Sequence, residues 1–269
     1  MTRRLDARIW LVVLPAATVL LASGAYALLS EASPSRLHLT SSWAGPSLSR
    51  PLGSGEAGVD LLPLVLHATF RVLLLAFVVA GIGFAVGTPI GAAAGLLRGR
   101  LERWVLRACD LVQAFPTFLL ALAVLSAVRT PARWHIAAVF ATTAWAPFAR
   151  IAAAQARTLS EAQFVEAARA LGATRGRTVT RHVLPNLLGP VAVQIGTAAA
   201  GVVLGETALG FVGLGPAVGV SLGALLEQGT LGMLRAPHVL AVGAVAVATV
   251  SGSLQLASEG LRRWVSGAK

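Results

Sequence analysis

The sequence predicts an all-α, polytopic membrane protein, and three observations support this fold class. The mean hydropathy is +0.75. Hydrophobic residues make up 56% of the chain and charged residues only 12%, whereas soluble domains carry about 25% charged residues. The apolar residues form runs long enough to cross a hydrocarbon core, which takes about 20 helical residues. Because these runs do not alternate apolar and polar residues with a period of two, we predict helices rather than barrel strands.

We predict six transmembrane helices, one for each long apolar run. The runs cover residues 9–29, 72–97, 108–128, 134–154, 185–212 and 237–261. The second run starts as early as Leu61, which would make it too long for one crossing. Pro63, His67 and Arg71 therefore predict that its first part forms a separate interfacial helix. In the fifth run, Gly189-Pro190 predicts a kink or a break, which membrane helices tolerate where neighbours satisfy the freed backbone groups.

The basic residues are distributed as a topology signal. If both termini lie on one side of the membrane, 16 of the 22 basic residues lie on that side. They are Arg3, Arg4, Arg8, Arg98, Arg100, Arg103, Arg107, Arg150, Arg157, Arg169, Arg175, Arg177, Arg181, Arg262, Arg263 and Lys269. The positive-inside rule then places both termini in the cytoplasm. The net charge of +11 therefore predicts a contact with the lipid bilayer and no nucleic-acid partner.

Several kinds of catalytic site are excluded by the residues that the sequence lacks. Lys269 is the only lysine, so the chain cannot hold a glycine-rich phosphate loop with its lysine. Cys109 is the only cysteine, and the five histidines form no His-Glu-x-x-His pair. We therefore predict no catalytic, cofactor-binding or metal-binding residues in this chain.

A polar, arginine-rich segment of residues 155–185 separates two apolar runs and is longer than a plain connection requires. Residues 161–171 are rich in helix-forming side chains, and Gly172 is placed to end that helix. A second short helix could follow over residues 175–183. The small or apolar residues that share one face of the first helix are Ala167, Ala170, Leu171 and Thr174. Such a pair could enter a groove of another protein, and the alternative is a helix that lies on anionic lipid.

Within this segment, Glu166-Ala167-Ala168, Gly172 and Leu184-Pro185 follow one another in this order. The series resembles the signature cytoplasmic loop of permease subunits in ABC importers. Further motifs are similar to those of the dipeptide, oligopeptide and nickel branch of that family, specifically its C-type permease subunit. They are Pro51-Leu52-Gly53 with Gly58 and Asp60; Arg107, Asp110 and Phe115-Pro116; Trp145 and Phe148-Ala149-Arg150; residues 204–215; and Glu259-Gly260-Leu261-Arg262. The resemblance covers roughly residues 50–263.

The resemblance implies a type I ABC importer permease fold with a cytoplasmic coupling helix pair. Residues 1–65 would hold the first transmembrane helix and an extracytoplasmic segment, residues 66–263 the permease domain, and residues 264–269 a cytoplasmic tail. The coupling loop within the permease domain would be the 155–185 segment. The expected location is the bacterial cell membrane.

The implied activity is non-catalytic. The chain would form a translocation path together with a homologous second permease, for a di- or oligopeptide, nickel or a related small solute. Two ATP-binding subunits would bind ATP and Mg, so no cofactor is expected in this chain. An extracytoplasmic substrate-binding protein would deliver the solute.

The resemblance also assigns residues to the coupling of ATP hydrolysis to transport. Glu166 would supply a polar contact with the ATPase, and Ala167 and Ala168 would allow its close approach. Gly172 would permit the turn, and Leu184-Pro185 would close the segment.

Asp110 and Glu206 are the acidic residues nearest membrane depth, where an ionisable group is a functional candidate because its desolvation is costly. We predict that Asp110 pairs with Arg107, three residues earlier on the same helix. For Glu206 two roles stay open, a contact with the partner permease and a place in the translocation path. An ion-coupled secondary transporter that uses both carboxylates is the alternative function, although such transporters usually show an inverted repeat that we do not detect.

Overall fold

A computed structural model describes residues 18–19, 21–30, 37–216 and 219–266. Within these ranges the regular elements are helices, together with one isolated bridge between Ser54 and Asp60. The α-helices are α1 (21–29), α2 (Leu61–Leu97), α3 (Gly99–Ala114), α4 (Thr117–Ser126), α5 (Arg133–Leu159), α6 (Gln163–Ala170), α7 (Arg175–Arg177), α8 (Leu184–Phe211), α9 (Leu222–Leu231) and α10 (Pro237–Ser266). The all-α fold class is thereby confirmed.

Four described helical stretches are long and apolar enough to cross a membrane: Leu61–Leu97, Arg133–Leu159, Arg175–Phe211 and Pro237–Arg263. The bent pair α3 and α4 makes a fifth if it is counted as one span. Of the predicted first span, residues 9–29, the first nine residues and residue 20 lie outside the described residues, and residues 18–19 and 21–29 are helical. The count of six therefore stays a prediction.

Helix α2 runs without interruption for 37 residues, a length of roughly 55 Å at 1.5 Å per residue. Asp60 caps its beginning by accepting a hydrogen bond from the Leu62 amide at 3.0 Å. Pro63 lies in the first turn, where its missing N–H costs no helical hydrogen bond. His67 is buried against the ring of Tyr26. The prediction of a separate interfacial helix at the start of this run is therefore wrong.

Helices α2 and α5 are parallel and pack side by side, and a row of glycines on α2 forms the contact. The glycines recur every fourth residue of α2, at Gly83, Gly87, Gly91 and Gly95. They lie against the backbone carbonyls of Ala144, Trp145, Ala149 and Ala153, in that order. A Cβ at any of the four positions would collide with the facing carbonyl oxygen. The row therefore allows the two backbones to approach as closely as small-residue helix contacts in membranes permit.

The predicted span 108–128 is interrupted at Phe115 and Pro116. Phe115 is extended, with φ −99° and ψ 125°, because the residue before a proline is disfavoured in the α region. Helices α3 and α4 consequently meet at an angle of 62°. Helix α3 begins at Gly99, nine residues before the predicted start of the span at residue 108.

Helix α8 passes through Gly189-Pro190 without a break, so a broken fifth span is not observed. The irregular part precedes it, where Thr178–Val183 form a π-helix that joins α7 to α8. Val183, Leu187 and Val191 are fully buried there in a cluster with α2 and α5.

The opposite end of the bundle is closed by residues 37–60 together with α9 and the start of α10. Leu61, Leu225, Ala236 and Val239 form a small buried core at this end. Helix α9 begins with a Ser221 cap and packs against the end of α8 and the beginning of α10. The 155–185 segment lies at the opposite end of the bundle, where α5 ends and α8 begins.

Candidate functional site

The 155–185 segment contains the predicted first helix and the turn after it. The second helix is not a separate short helix, because the helical stretch that begins at Arg175 continues through the π-helix into α8. Helix α6 ends at Ala170, and Gly172 has φ +83°, a conformation that glycine adopts without strain. Thr174 then caps α7 by accepting a hydrogen bond from the Arg177 amide at 3.3 Å. Val165 packs the segment onto the bundle, because it is fully buried in one cluster with Val183 and Leu187.

The predicted coupling residues lie on the exposed part of this helix pair. Glu166 and Ala167 are exposed, Ala168 is half-buried, and Leu171 is 89% exposed. Glu166 forms no ion pair with another residue of the described chain. The Leu184-Pro185 pair begins α8 directly after the π-helix. The arrangement presents a carboxylate and small side chains to whatever contacts this end of the protein.

Arg98 fastens the segment to the neighbouring helices, and sequence reasoning did not find it. Arg98 lies between α2 and α3 with φ 53° and ψ −170°, which is unusual for a residue with a side chain. Its Nη2 lies 2.6 Å from Glu161 Oε1, 2.8 Å from Ser160 Oγ and 3.2 Å from the Arg157 carbonyl oxygen. The hydrogen bond from the Arg98 guanidinium lowers the pKa of the Glu161 carboxyl below its ordinary value.

Two further ion pairs connect α3 with α5. Arg157 Nη1 lies 3.6 Å from Glu102 Oε1, and Arg150 Nη2 lies 2.7 Å from Asp110 Oδ1. The predicted pair of Asp110 with Arg107 is wrong, because Asp110 faces across to α5. The Arg107 guanidinium instead lies over the Trp104 ring, 5.7 Å from its centre.

Glu206 lies inside the bundle, on α8 near its final turn. Its side chain is 1% exposed, and its Oε1 lies 3.9 Å from Arg133 Nη1. Neither carboxylate oxygen has a hydrogen-bond partner among the described residues. Arg133, the first residue of α5, donates from Nη2 to the Val220 carbonyl oxygen at 2.6 Å. Glu206 and Asp110 therefore contact different arginines and do not form one site in this structure.

The outer motif around residues 51–60 forms a compact turn. Gly53 and Gly58 have φ +79° and +71°, a region that favours glycine. The Asp60 carboxylate caps α2, and Leu52 packs on the small core at that end. These residues shape the surface that surrounds the start of α2.

Comparison with known proteins supports the resemblance carried by these motifs. Residues 87–266 match the model of the family described as binding-protein-dependent transport system inner membrane component. A Brucella suis biovar 1 protein that is named a peptide transport system permease is 33% identical over 97% of this chain and 87% of its own length. The glutathione transport system permease protein GsiD of Escherichia coli O6:K15:H31 is 32% identical over 81% of this chain and 72% of its own length.

A solved structure supports the fold. A chain of the MetNI methionine ABC transporter, in inward facing conformations, matches with a TM-score of 0.59 and 22% identity. The match covers 78% of this chain and 98% of the other. The chain therefore belongs to the family of binding-protein-dependent transport system inner membrane components, and it is a permease subunit of such a system.

Proposed function

We propose that this chain forms half of the translocation path of an ATP-driven importer in the bacterial cell membrane. It pairs with a homologous permease, and two separate ATP-binding subunits hold ATP and Mg. A binding protein delivers the solute on the extracytoplasmic side, and both termini of the chain lie in the cytoplasm. The family match and the absence of a phosphate-loop lysine in the sequence support a pore subunit without catalysis of its own.

The observation that carries this proposal is the exposed helix pair at the end of α5. Apart from Val165, the described residues of α6 are exposed or half-buried, and they include the exposed Phe164 and Glu166. Leu171, directly after α6, is exposed as well. An exposed phenylalanine and leucine on such a helix and turn are suited to a groove in a partner protein. We assign Glu166, Ala167, Ala168 and Gly172 to ATPase docking.

For the solute we propose peptides, from dipeptides to short oligopeptides. The support is the naming of the relatives, which are described as peptide and glutathione transport permeases. Glutathione is itself a tripeptide, so both names point to the same chemical class.

Two glycines of the helix pair provide a matched test of docking. Gly172 and Gly176 both have open space where a Cβ would lie, but only Gly172 has a positive φ. We expect Gly172→Ala to weaken ATPase retention about fivefold or more, because backbone strain of about 1–3 kcal/mol opposes the turn. Gly176→Ala should leave retention unchanged. The measurement is the amount of ATP-binding subunit that co-purifies with each tagged variant from native membranes.

Equal retention by both variants would remove Gly172 from the docking surface. A wild-type preparation that contains no ATP-binding subunit would contradict the proposed function itself.

Uptake assays in proteoliposomes separate this function from ion-coupled transport. We expect peptide uptake to require ATP on the side of the 155–185 segment, and uptake driven by a proton or sodium gradient without ATP would favour the ion-coupled alternative.

A further inference from the structure

A cavity of about 280 Å³ opens at the end of the bundle where α2 begins, opposite the 155–185 segment. It lies between the turn before α2, helix α9 and the loop after α9. Its wall includes an aromatic residue, an acid, an amide and a base, namely Trp43, Glu56, Gln228 and Arg235. Pockets that bind drug-sized ligands are about 300 Å³ or larger. The size of this cavity therefore suits a smaller ligand, such as an amino acid or a dipeptide.

The backbone of Trp43 has an unusual conformation at this cavity. Its φ of +62° lies in the left-handed region, which is rare for a residue with a bulky side chain. The Trp43 amide donates a hydrogen bond to the Gly55 carbonyl oxygen at 3.0 Å. The Trp43 ring packs against Gly232, where a Cβ would collide with it. The indole is thus held in one place by strained backbone, a feature that is found at ligand-binding sites.

The acid and the base in the wall do not pair with each other. Glu56 and Arg235 are both exposed, and neither forms an ion pair with another residue in the described part of the chain. The Glu56 carboxylate accepts a hydrogen bond from Gln228 Nε2 at 3.4 Å. Opposite charges that line one cavity without pairing complement a ligand that carries both an ammonium and a carboxylate group.

Two leucines add an apolar surface to the same cavity. Leu231 is 83% exposed and Leu234 is 96% exposed, and both line the cavity. They are therefore available to the apolar side chains of a bound molecule. A metal ion or an inorganic anion would use one of the two charges and none of this apolar surface. The combination favours a small zwitterion with apolar side chains.

We propose that this cavity binds a short peptide by both of its free ends. The peptide ammonium group lies at Glu56, its carboxylate lies at Arg235, and an apolar side chain contacts Trp43. The cavity holds the peptide on the permease itself, at the end away from the ATPase-docking helix pair. Glu56 and Arg235 thereby select short peptides whose two termini are unmodified. The inference rests on the proposed function, because that function supplies the peptide as the solute.

The test measures peptide binding to the assembled transporter in detergent, without its binding protein, by isothermal titration calorimetry. The probe is alanyl-leucine, which has two free termini and an apolar side chain. Acetyl-alanyl-leucine lacks the ammonium group, and alanyl-leucine amide lacks the carboxylate. We expect each blocked peptide to bind about tenfold more weakly or worse, because each loses a charge-assisted hydrogen bond.

Neutral substitutions assign each end of the peptide to its residue. Glu56→Gln should remove the discrimination against the acetylated peptide and keep the discrimination against the amide. Arg235→Gln should show the opposite pattern. A general disturbance of the fold would not change the two affinity ratios selectively, and both side chains are exposed, so we expect both variants to fold.

Matched controls make the same chemical changes outside the cavity. Glu227→Gln lies next to Gln228 on α9, and Glu227 does not line the cavity. Arg129→Gln changes an exposed arginine just before α5, at the same end of the bundle. Both controls should keep the two affinity ratios of the wild type.

Three outcomes overturn the inference. In the first, alanyl-leucine does not bind at millimolar concentration. In the second, the blocked peptides bind as tightly as the free one. In the third, Glu56→Gln and Arg235→Gln keep the wild-type ratios, including the case in which they weaken retention of the binding protein instead. Each of these leaves the proposed function in place, since co-purification of the ATPase and ATP-dependent uptake are measured separately.

Discussion

The buried pair of Glu206 and Arg133 shows how a single carboxylate is accommodated within the bundle. Glu206 is enclosed by the chain itself, and its nearest charged atom is Arg133 Nη1 at 3.9 Å. Arg133 also holds the Val220 carbonyl, which belongs to the loop between α8 and α9. The pair therefore connects the start of α5, the end of α8 and that loop.

We expect Glu206→Ala to lower the free energy of unfolding by about 1–3 kcal/mol, because it leaves the Arg133 guanidinium without its carboxylate in a site that is poorly hydrated. Arg133→Ala should have a similar effect, and the double variant should cost less than the sum. The measurement is a double-mutant cycle of unfolding in detergent micelles. Glu166→Gln is the control and should stay within about 0.5 kcal/mol, because Glu166 is exposed and forms no ion pair with a described side chain. Strict additivity of the two single effects would show that the pair does not interact.

Residues whose role depends on the local chain could be predicted from the sequence, and residues whose role depends on distant partners could not. Gly172 is recognisable because it follows a helix-forming stretch directly. Arg98 is one of several arginines near the end of α2, and its partner Glu161 is separated from it by the whole of α3, α4 and α5. Asp110 was assigned to Arg107 for the same reason, since only the folded structure brings Arg150 alongside it.

At the scale of helices, the row of glycines in α2 allows the backbone of α2 to lie close to that of α5. The same helix contains Gly81, which has open space where a Cβ would lie. Gly81 and Gly91 therefore share a helical backbone, but only Gly91 faces another helix closely.

We expect Gly91→Ala to lower the thermal stability of the purified protein, at a cost of about 1–3 kcal/mol, because the added methyl group overpacks the α2–α5 contact. Gly81→Ala should leave stability unchanged or raise it by up to about 1 kcal/mol, since alanine favours a helix. The measurement is the unfolding midpoint in detergent for each variant. A Gly91→Ala midpoint equal to that of Gly81→Ala would mean that α2 and α5 can separate at no cost.

The starts of three long helices were predictable because each coincides with the start of an apolar run. Helices α5, α8 and α10 begin within a residue of their predicted starts. The extent of α3 was not predictable in the same way, because its beginning is charged and amphipathic and lacks the continuous apolar character of a span. The prediction also missed that α2 begins at Leu61. Pro63 fits the first turn of a helix, and His67 is buried against the Tyr26 ring, so neither residue interrupts the helix.

For the whole molecule, the direction of α2 shows which segments lie at each end of the bundle. Residues 37–60 and α9 lie at the end where α2 begins, and the 155–185 segment lies at the end where α2 finishes. We propose that the first end is extracytoplasmic and the second cytoplasmic.

We expect Ser47→Cys, in a Cys109→Ser background, to react with a membrane-impermeant maleimide added to intact spheroplasts. Gly176→Cys should react only after the membrane is permeabilised. Both positions are exposed in the structure, so a difference between them reports the side of the membrane. The reverse pattern would invert the proposed orientation of the chain and would separate the helix pair from any cytoplasmic ATPase.

The α2–α5 contact has a consequence for how variants of this protein can be repaired genetically. The atoms that face the four glycines are backbone carbonyl oxygens, and no substitution on α5 can make a carbonyl smaller. A strain carrying Gly91→Ala should therefore yield second-site suppressors away from the facing residue Ala149. They should arise where a change lets α2 shift as a rigid rod, such as the contacts between α2 and α8. In a selection for restored growth, the map of suppressors would trace the surfaces on which α2 can slide.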